Sequence, residues 1–272
     1  MPDTAPTLTL NDGRTMPQLG FGTYQIEDAD ASEAVSMAVE AGYRLVDTAA
    51  IYRNERGVGA ALAGHDEVWL TTKIWNDQQG HRESLAAFDK CLGRLGRDSV
   101  DLLLIHWPCA DKGKFVDTWK AFIELRDAGK AKSIGVSNFM PDNLEKIVRE
   151  TGVTPALNQI ELHPSFQQKE LRQLHNQMGV LTQSWSPLGQ GDSLKQDTIT
   201  RIAEETGRSP AAVIIRWHMQ HGLAVIPKAS SRNHIEDNFT ATQFTLSEQQ
   251  MAAVDAMDSP EGRIGPDPAR FC

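Results

Sequence analysis

The sequence predicts a single α/β domain over residues 1–272: a (β/α)8 or TIM barrel with an N-terminal β-hairpin and an extra C-terminal helix and loop. With 272 residues and 40% apolar composition, the chain fits one barrel of the usual size of about 250 residues. Seven short apolar runs recur at intervals typical of one strand plus one helix. The fingerprint G-x-G-x-x-G of a doubly wound sheet is absent, because Gly20-Phe21-Gly22 lacks the third glycine.

The N-terminal elements follow from local patterns. Residues 7–16 alternate partly around an Asp-Gly pair, which predicts a β-hairpin that covers the bottom of the barrel. Residues 17–22 are expected to form the first barrel strand. Residues 31–41 carry apolar side chains at helical spacing and are followed by Gly42, which predicts the first helix and its end.

The seven apolar runs are the other predicted strands. They span residues 45–47, 68–73, 100–106, 133–138, 156–159, 180–185 and 224–228, and each ends in a polar or aromatic side chain. Parallel strands of a barrel bring the side chains at their carboxyl ends around one opening, where barrel enzymes hold their active sites. The ends of these runs therefore predict an enzyme.

Helical patterns occupy the intervals between the strands. Helices are predicted at residues 55–63, 82–95, 117–128, 143–150, 169–178, 196–206, 210–221 and 232–239. Ser247 and Gln250 resemble a capping box for one further helix at residues 248–257. The tail, residues 262–272, is a Gly/Pro-rich loop that is able to fold back over the site.

Charge and hydropathy exclude several classes of function. The net charge is -9 and the pI about 5.4, so no chain-wide positive field attracts nucleic acid or anionic lipid, and neither partner is expected. The sequence has no apolar run of about 18 residues, and residues 1–6 lack the pattern of a signal peptide, which predicts a cytoplasmic protein with no membrane association. Without a heptad repeat or a long apolar face, the chain is expected to be a monomer.

The cysteines and histidines give no sign of a disulfide framework or a metal site. Cys91, Cys109 and Cys272 are odd in number and widely spaced, so they are expected to be reduced thiols. None of the histidines has metal-ligand spacing to acidic or cysteine partners, so no metal is predicted.

Four residues near the ends of the second to fourth strands suit acid catalysis: Asp47, Tyr52, Lys73 and His106. A phenol with its ordinary pKa of about 10 is a weak acid at neutral pH, and a nearby ammonium group stabilises its phenolate form. Asp47 would keep Lys73 charged, and a neutral His106 would orient a carbonyl oxygen. Taken alone, Tyr52 would more often be a packing residue and His106 a core histidine, but the combination favours catalysis. Hydride would come from a cofactor, because no side chain supplies it.

Later strand ends suit a nicotinamide cofactor. Ser137, Asn138 and Gln159 are able to bind a carboxamide, and Trp185 offers an apolar face for ring stacking, although plain core packing is the alternative for Trp185.

A possible phosphate-binding cluster follows the last strand. Lys228 and Arg232 are cations, and Ser230 and Ser231 supply hydroxyls immediately before a predicted helix. Helix N-termini and charge-assisted hydrogen bonds favour phosphate, whereas the alternative is an ordinary solvated loop.

The chain resembles the aldo-keto reductase family, close to the bacterial 2,5-diketo-gluconate reductases, over nearly its whole length. The segments that carry the resemblance are Gly20-Phe21-Gly22-Thr23-Tyr24, Gly42-Tyr43-Arg44-Leu45-Val46-Asp47-Thr48-Ala49, Tyr52-Arg53-Asn54-Glu55, Lys73-Ile74-Trp75, Leu104-Ile105-His106-Trp107-Pro108, Gly135-Val136-Ser137-Asn138-Phe139, Asn158-Gln159-Ile160-Glu161-Leu162-His163-Pro164 and Ile226-Pro227-Lys228.

The resemblance implies a (β/α)8 barrel that binds extended NADPH without a Rossmann motif and reduces aldehydes or ketones to alcohols. It implies that Tyr52 is the general acid, that Lys73 and Asp47 tune it, and that His106 orients the substrate. It also implies these cofactor contacts: Thr23, Tyr24, Ser137, Asn138, Gln159, Trp185, Ser186, Leu188, Gly189, Lys228 and Asn238.

Two positions depart from the NADPH-preferring pattern. Ala229 stands where many relatives have serine, and His234 where they usually have arginine. A neutral imidazole lacks the fixed donors and permanent charge of a guanidinium. NADPH is therefore expected to be favoured by a reduced margin, with NADH tolerated.

The sequence leaves the identity of the substrate and two alternative functions open. Trp75 and Trp107 are expected to wall an apolar pocket, which the short tail would leave open. Diketo sugar acids, methylglyoxal-like dicarbonyls and aromatic aldehydes are candidate substrates. A nicotinamide-binding redox sensor with incidental turnover is the main alternative function, and a purely structural barrel is another.

Overall fold

Eight parallel strands form one curled sheet in the computed structural model, which describes residues 5–272. The strands follow one another around the sheet in chain order. They are β3 (Phe21–Gly22), β4 (Leu45–Asp47), β5 (Trp69–Ile74), β6 (Val100–Ile105), β7 (Ala131–Ser137), β8 (Leu157–Glu161), β9 (Leu181–Trp185) and β10 (Ala224–Val225). Residues 1–4, on which the signal-peptide expectation partly rests, lie outside the described part.

Backbone hydrogen bonds close the sheet between its first and last strands. The Gly20 N–H donates to the Val225 carbonyl at 2.9 Å, and the Val225 N–H donates to the Gln18 carbonyl at 2.9 Å. The Gly22 N–H reaches the Pro227 carbonyl at 3.1 Å. The predicted (β/α)8 barrel is confirmed.

An antiparallel hairpin of β1 (Thr7–Thr9) and β2 (Thr15–Pro17) covers the bottom of the barrel. Its turn is held there because the Asn11 side chain donates to the Pro155 carbonyl at 2.9 Å, just before β8. The prediction that residues 17–22 form the first barrel strand is wrong at its start. Pro17 pairs with Thr7 in the hairpin, so the barrel strand is shorter than expected.

Ten helices accompany the strands within the described residues. They are α1 (Asp28–Ala41), α2 (Glu55–Ala61), α3 (His81–Leu95), α4 (Phe115–Asp127), α5 (Pro141–Thr151), α6 (Lys169–Met178), α7 (Asp197–Thr206), α8 (Pro210–Gln220), α9 (Arg232–Phe239) and α10 (Glu248–Asp255). Most predicted boundaries agree within two residues. Helix α1 begins three residues before the prediction because its first turn is polar and shows no apolar periodicity.

Two apolar clusters fix the barrel. The larger one fills the space between the strands and the helix ring and includes Trp119, Phe122 and Trp217, which are fully buried. The smaller one fills the lower barrel interior with side chains such as Leu45 and Leu102, which pack against the hairpin residue Met16 at the bottom. The polar side chains therefore lie at the opposite end of the barrel, where the strands have their carboxyl ends. Within residues 5–272, no helix has the length and apolar character needed to cross a membrane.

Gly135 in β7 provides a test of this packing. A Cβ at this position would lie 2.6 Å from the Leu157 carbonyl oxygen and 2.8 Å from a Leu104 methyl. We expect Gly135→Ala to lower the free energy of unfolding by about 1–3 kcal/mol, the usual cost of overpacking. Urea denaturation measures this change.

Gly93→Ala is the matched control. Gly93 is exposed within α3, and a Cβ there would meet nothing within 4 Å. Alanine should therefore raise stability by up to about 1 kcal/mol through helix propensity. Equal effects of the two substitutions would contradict the packing described for Gly135.

Candidate active site

The carboxyl ends of three neighbouring strands bring together the four predicted acid-site residues. Asp47 is the last residue of β4, Lys73 is the last but one of β5, and His106 follows β6 directly. Tyr52 is supplied by a short 3-10 turn, Ala50–Tyr52, just after Asp47. Asp47, Tyr52 and His106 line a cavity of about 390 Å³, behind which Lys73 is completely buried.

An ion pair anchors this group. The Lys73 ammonium contacts Oδ1 of Asp47 and donates to the Thr48 carbonyl at 2.9 Å. Oδ2 of Asp47 accepts a hydrogen bond from Nε2 of Gln159 at 2.8 Å. Both carboxylate oxygens are therefore held, and the ammonium is fixed 5.0 Å from the centre of the Tyr52 ring.

Burial keeps Tyr52 protonated. Desolvation, followed by the negative charge of Asp47, raises the pKa of Tyr52 well above its ordinary value. The stabilisation of the phenolate form by the neighbouring Lys73 ammonium remains a prediction. Burial also lowers the pKa of Lys73, against the opposing effect of Asp47. Tyr52 is therefore a neutral phenol that keeps its proton at neutral pH.

His106 is also neutral. Burial, with the charge of Lys73 as a second cause, lowers the pKa of His106 well below its ordinary value. The imidazole packs edge-on against Tyr52 and Trp75, with ring centroids 5.7 and 4.9 Å apart. Its carbonyl accepts a hydrogen bond from the Asn138 amide at 3.0 Å.

Aromatic side chains form the walls of the cavity, and the tail supplies one of them. Trp75 and Trp107 line it as expected, and Phe271 packs against both, at 6.3 and 4.6 Å between ring centroids. The tail folds back over the site, as its composition allowed, and lines one side of the cavity; the openness of the pocket stays a prediction. Sequence reasoning did not identify Phe271, Ile51 or Ile264 as lining residues. Its only relevant signal was the Gly/Pro-rich composition of the tail.

The structure places about half of the suggested cofactor residues at this cavity. Those that line it are Tyr24, Ser137, Asn138, Gln159, Trp185, Ser186 and Lys228. Those that do not are Thr23, Leu188, Gly189, Ser230, Ser231, Arg232, His234 and Asn238. Of these, Thr23 is buried and donates to the Asp47 carbonyl, and Asn238 is buried in α9.

Two residues that line the cavity have a left-handed backbone. Asn138 and Ser186 follow β7 and β9 with φ of +62° and +47°. Such conformations are costly for non-glycine residues and are often found at functional sites. The Asn138 amide oxygen accepts from the Trp185 indole N–H at 2.8 Å, so the amide and the indole are held together.

The predicted phosphate cluster lies at the N-terminus of α9. Ser231 caps this helix and accepts from the His234 N–H at 3.4 Å. The Arg232 guanidinium is directed to Glu40 at 2.8 Å and Glu236 at 3.6 Å. Lys228 is exposed at the cavity edge and carries the positive charge nearest to the cavity in this cluster.

The cysteine prediction is wrong for two of the three residues. Cys109 and Cys272 form a disulfide with Cα atoms 4.9 Å apart, a usual separation, whereas Cys91 is buried and free. The partners are 163 residues apart, so their pairing depends on the folding back of the tail. Among the described residues, no group of three His, Cys, Asp or Glu side chains is placed to hold a metal.

Fold and site together define an oxidoreductase of the (β/α)8 barrel class. The sequence matches the Aldo/keto reductase family over residues 18–259. The chain therefore belongs to the aldo/keto reductase family, and it is an NAD(P)H-dependent enzyme that reduces carbonyl groups.

Relatives and solved structures cover nearly the whole chain. It is 49% identical over 271 residues to an aldo-keto reductase of Mycolicibacterium smegmatis, with 98% of each chain covered. It is 43% identical to glyoxal reductase of Bacillus subtilis, with 96% of each covered, and 42% identical to methylglyoxal reductase DkgA of Yersinia pestis, with 98% of this chain and 97% of that one covered. A solved structure of a Gox0644 mutant in complex with NADPH is 46% identical with a TM-score of 0.98, over 99% of this chain and all of the other.

The state of His106 is open to direct measurement. Its folded-state pKa is lowered, so the unfolded chain takes up the proton first as the pH falls. The contribution of His106 to stability is therefore complete above about pH 6.5 and is lost as the pH falls below it. We expect its imidazole NMR signals, assigned by comparison with His106→Asn, to stay constant as the pH passes through about 6.5. A titration midpoint near the model-peptide value would contradict the burial described.

Proposed function

We propose that this enzyme reduces aldehydes or ketones to alcohols with NADPH and that Tyr52 is the general acid. The observation that carries the proposal is the protonated Tyr52 phenol, which is held beside the Asp47–Lys73 pair and lines an aromatic-walled cavity. The cofactor supplies hydride to the carbonyl carbon when it is bound. Tyr52 donates its proton to the carbonyl oxygen, and neutral His106 helps to orient that oxygen.

The residues present suit NADPH. Asn138 and Gln159 line the cavity next to the flat Trp185 indole, and Lys228 leads from this end of the cavity toward the N-terminus of α9. The first-turn N–H groups of this helix and the hydroxyls of Ser230 and Ser231 are donors that phosphate prefers. The NADPH complex of the similar Gox0644 structure supports the same choice. Because Arg232 is paired with two carboxylates, we assign the main ionic contact with the phosphate groups of NADPH to Lys228.

Small dicarbonyl compounds are the proposed substrates. The cavity of about 390 Å³ lies between the nicotinamide-binding amides and the aromatic walls, so little space remains for a large substrate. Relatives named for glyoxal and methylglyoxal support this assignment. Diketo sugar acids and aromatic aldehydes are further candidates.

A redox-sensing module is disfavoured by the positions of exposed apolar residues. A sensor would present an apolar docking patch on the helix ring. The large exposed apolar side chains within residues 5–272 are Tyr24, Ile51 and Ile264, and all three line the cavity. A monomeric state and a cytoplasmic location remain predictions.

Replacing Tyr52 with phenylalanine tests the general acid. We expect Tyr52→Phe to lower kcat with methylglyoxal by about a hundredfold to ten-thousandfold, the usual contribution of a positioned acid. NADPH affinity, measured by fluorescence titration, should stay within about twofold because the ring is retained.

Tyr43→Phe is the matched control. Tyr43 is buried and does not line the cavity, and its hydroxyl donates to the Ile235 carbonyl at 3.3 Å. This change should cost about 1 kcal/mol of stability but leave kcat unchanged. Equal losses of kcat in both variants would remove the special role assigned to Tyr52.

Substitutions at positions 229 and 234 test how strongly the enzyme prefers NADPH over NADH. The double variant Ala229→Ser/His234→Arg adds a hydroxyl and a guanidinium beside the α9 N-terminus. We expect it to raise the ratio of kcat/KM with NADPH to kcat/KM with NADH by about tenfold or more, since hydrogen bonds to charged groups contribute about 1.5–3 kcal/mol. Asn233→Arg adds the same charge at the neighbouring exposed position and should change the ratio less. A higher ratio in the unmodified enzyme than in the double variant would refute the reduced margin.

A further inference from the structure

We propose that the Cys109–Cys272 disulfide is a redox-controlled lock on the substrate cavity. In the oxidised enzyme the bridge holds Phe271 against Trp75 and Trp107. In the reduced enzyme residues 266–272 are released, and the cavity admits bulkier carbonyl compounds. The inference rests on the proposed function, because it treats this cavity as the substrate site.

The first part of the tail is held to the barrel without the bridge. Glu161, at the end of β8, accepts hydrogen bonds from the backbone N–H groups of Ile264 at 2.7 Å and Gly265 at 2.9 Å. Glu161 is itself buried and paired with His163 at 3.1 Å. The tail therefore stays anchored up to Gly265 in either redox state.

The last part of the tail has few other attachments. Within the described chain, the hydrogen bonds of residues 266–272 stay inside this segment: the N–H groups of Ala269, Arg270 and Phe271 all donate to Asp267. Contacts with the barrel come from buried Pro268, from the Phe271 ring and from the disulfide. The bridge is thus the one covalent restraint at the end of the tail.

The other end of the bridge lies in the segment that forms the site. Cys109 comes two residues after Trp107 and three after His106, is 1% exposed, and has a left-handed backbone with φ of +43°. The Trp107 carbonyl accepts from the Gln79 side chain at 2.6 Å, so this segment is itself well held. The bridge therefore fastens a weakly attached tail to a rigid cavity wall.

The exposures of the two cysteines define the route of exchange. Cys272 is exposed and Cys109 is buried, so the thiolate of a dithiol reductant attacks the Cys272 sulfur. The disulfide breaks, and Cys109 leaves as a thiolate and takes up a proton. The second thiol of the reductant then displaces Cys272, and the reductant, having given up two electrons, becomes a disulfide.

A hydroperoxide reverses the change. It oxidises the Cys272 thiolate to a sulfenic acid and is itself reduced to an alcohol or water. The Cys109 thiol then displaces water from the sulfenic acid and restores the bridge. In a reducing compartment such as the predicted cytoplasm, disulfides are mostly transient and catalytic or redox-sensing, which fits a bridge between a weakly attached tail and a wall of the cavity.

The test compares the full-length enzyme after treatment with a dithiol and after treatment with a hydroperoxide. Alkylation and peptide mass analysis report the cysteine pairing, and hydrogen exchange reports the mobility of residues 266–272. The kinetic readout is kcat/KM for a naphthaldehyde divided by kcat/KM for methylglyoxal. On reduction, we expect faster exchange in the tail and about a tenfold rise in this ratio, with NADPH affinity unchanged.

Three variants separate the bridge from the ring that it holds. Cys272→Ser should show the high ratio under both treatments. Phe271→Ala should show the high ratio while the bridge still forms. Cys91→Ser, which removes the free cysteine, should respond to redox treatment like the unmodified enzyme.

The outcomes distinguish the lock from the reductase activity. An unchanged ratio on reduction, unchanged tail exchange, or failure of Cys109 and Cys272 to pair in the oxidised enzyme would overturn the lock. Absence of turnover with every carbonyl compound in both states, with faster tail exchange on reduction, would overturn the proposed function but support redox control of the tail.

Discussion

The buried ion pair between Lys73 and Asp47 is the interaction around which the open end of the barrel is arranged. The two side chains are 0% and 2% exposed. Two charges removed from water are tolerated only where the remaining polar atoms also find partners. The Thr48 carbonyl and the Gln159 amide supply these partners. Because Gln159 lies across the barrel on β8, the pair joins opposite walls and depends on barrel closure.

Burial is the main cause of the protonation states of Tyr52 and His106, and the ion pair acts on both in the same direction. Asp47 raises the pKa of Tyr52, whereas Lys73 lowers the pKa of His106. Burial acts in the same directions, since it disfavours both phenolate and imidazolium. Beside the cavity there are therefore a phenol that has its proton and an imidazole that is uncharged.

The sequence was sufficient for the barrel and for the grouping of Asp47, Tyr52, Lys73 and His106 at one end of it, because both depend on local patterns. Strands and helices alternate with a regular period, and parallel strands bring their carboxyl ends together whatever the loops do. The pKa direction of Tyr52 could not be read in this way, since burial is a property of the assembled barrel. The Cys109–Cys272 pair was invisible for a similar reason: its partners are 163 residues apart, and their spacing carries no local signal.

The residues that local sequence patterns predict and those that depend on long-range contacts are also assigned different functions. The groups assigned to chemistry lie on or directly after barrel strands, where the ion pair and the apolar layer beneath it hold them rigidly. The groups assigned to substrate size include Phe271, which is held at the cavity by its packing on Trp107, by buried Pro268, by the Glu161 contacts of the tail and by the disulfide. Release of the tail would leave Tyr52 in place, because the contacts that hold Tyr52 beside Lys73 include none from the tail.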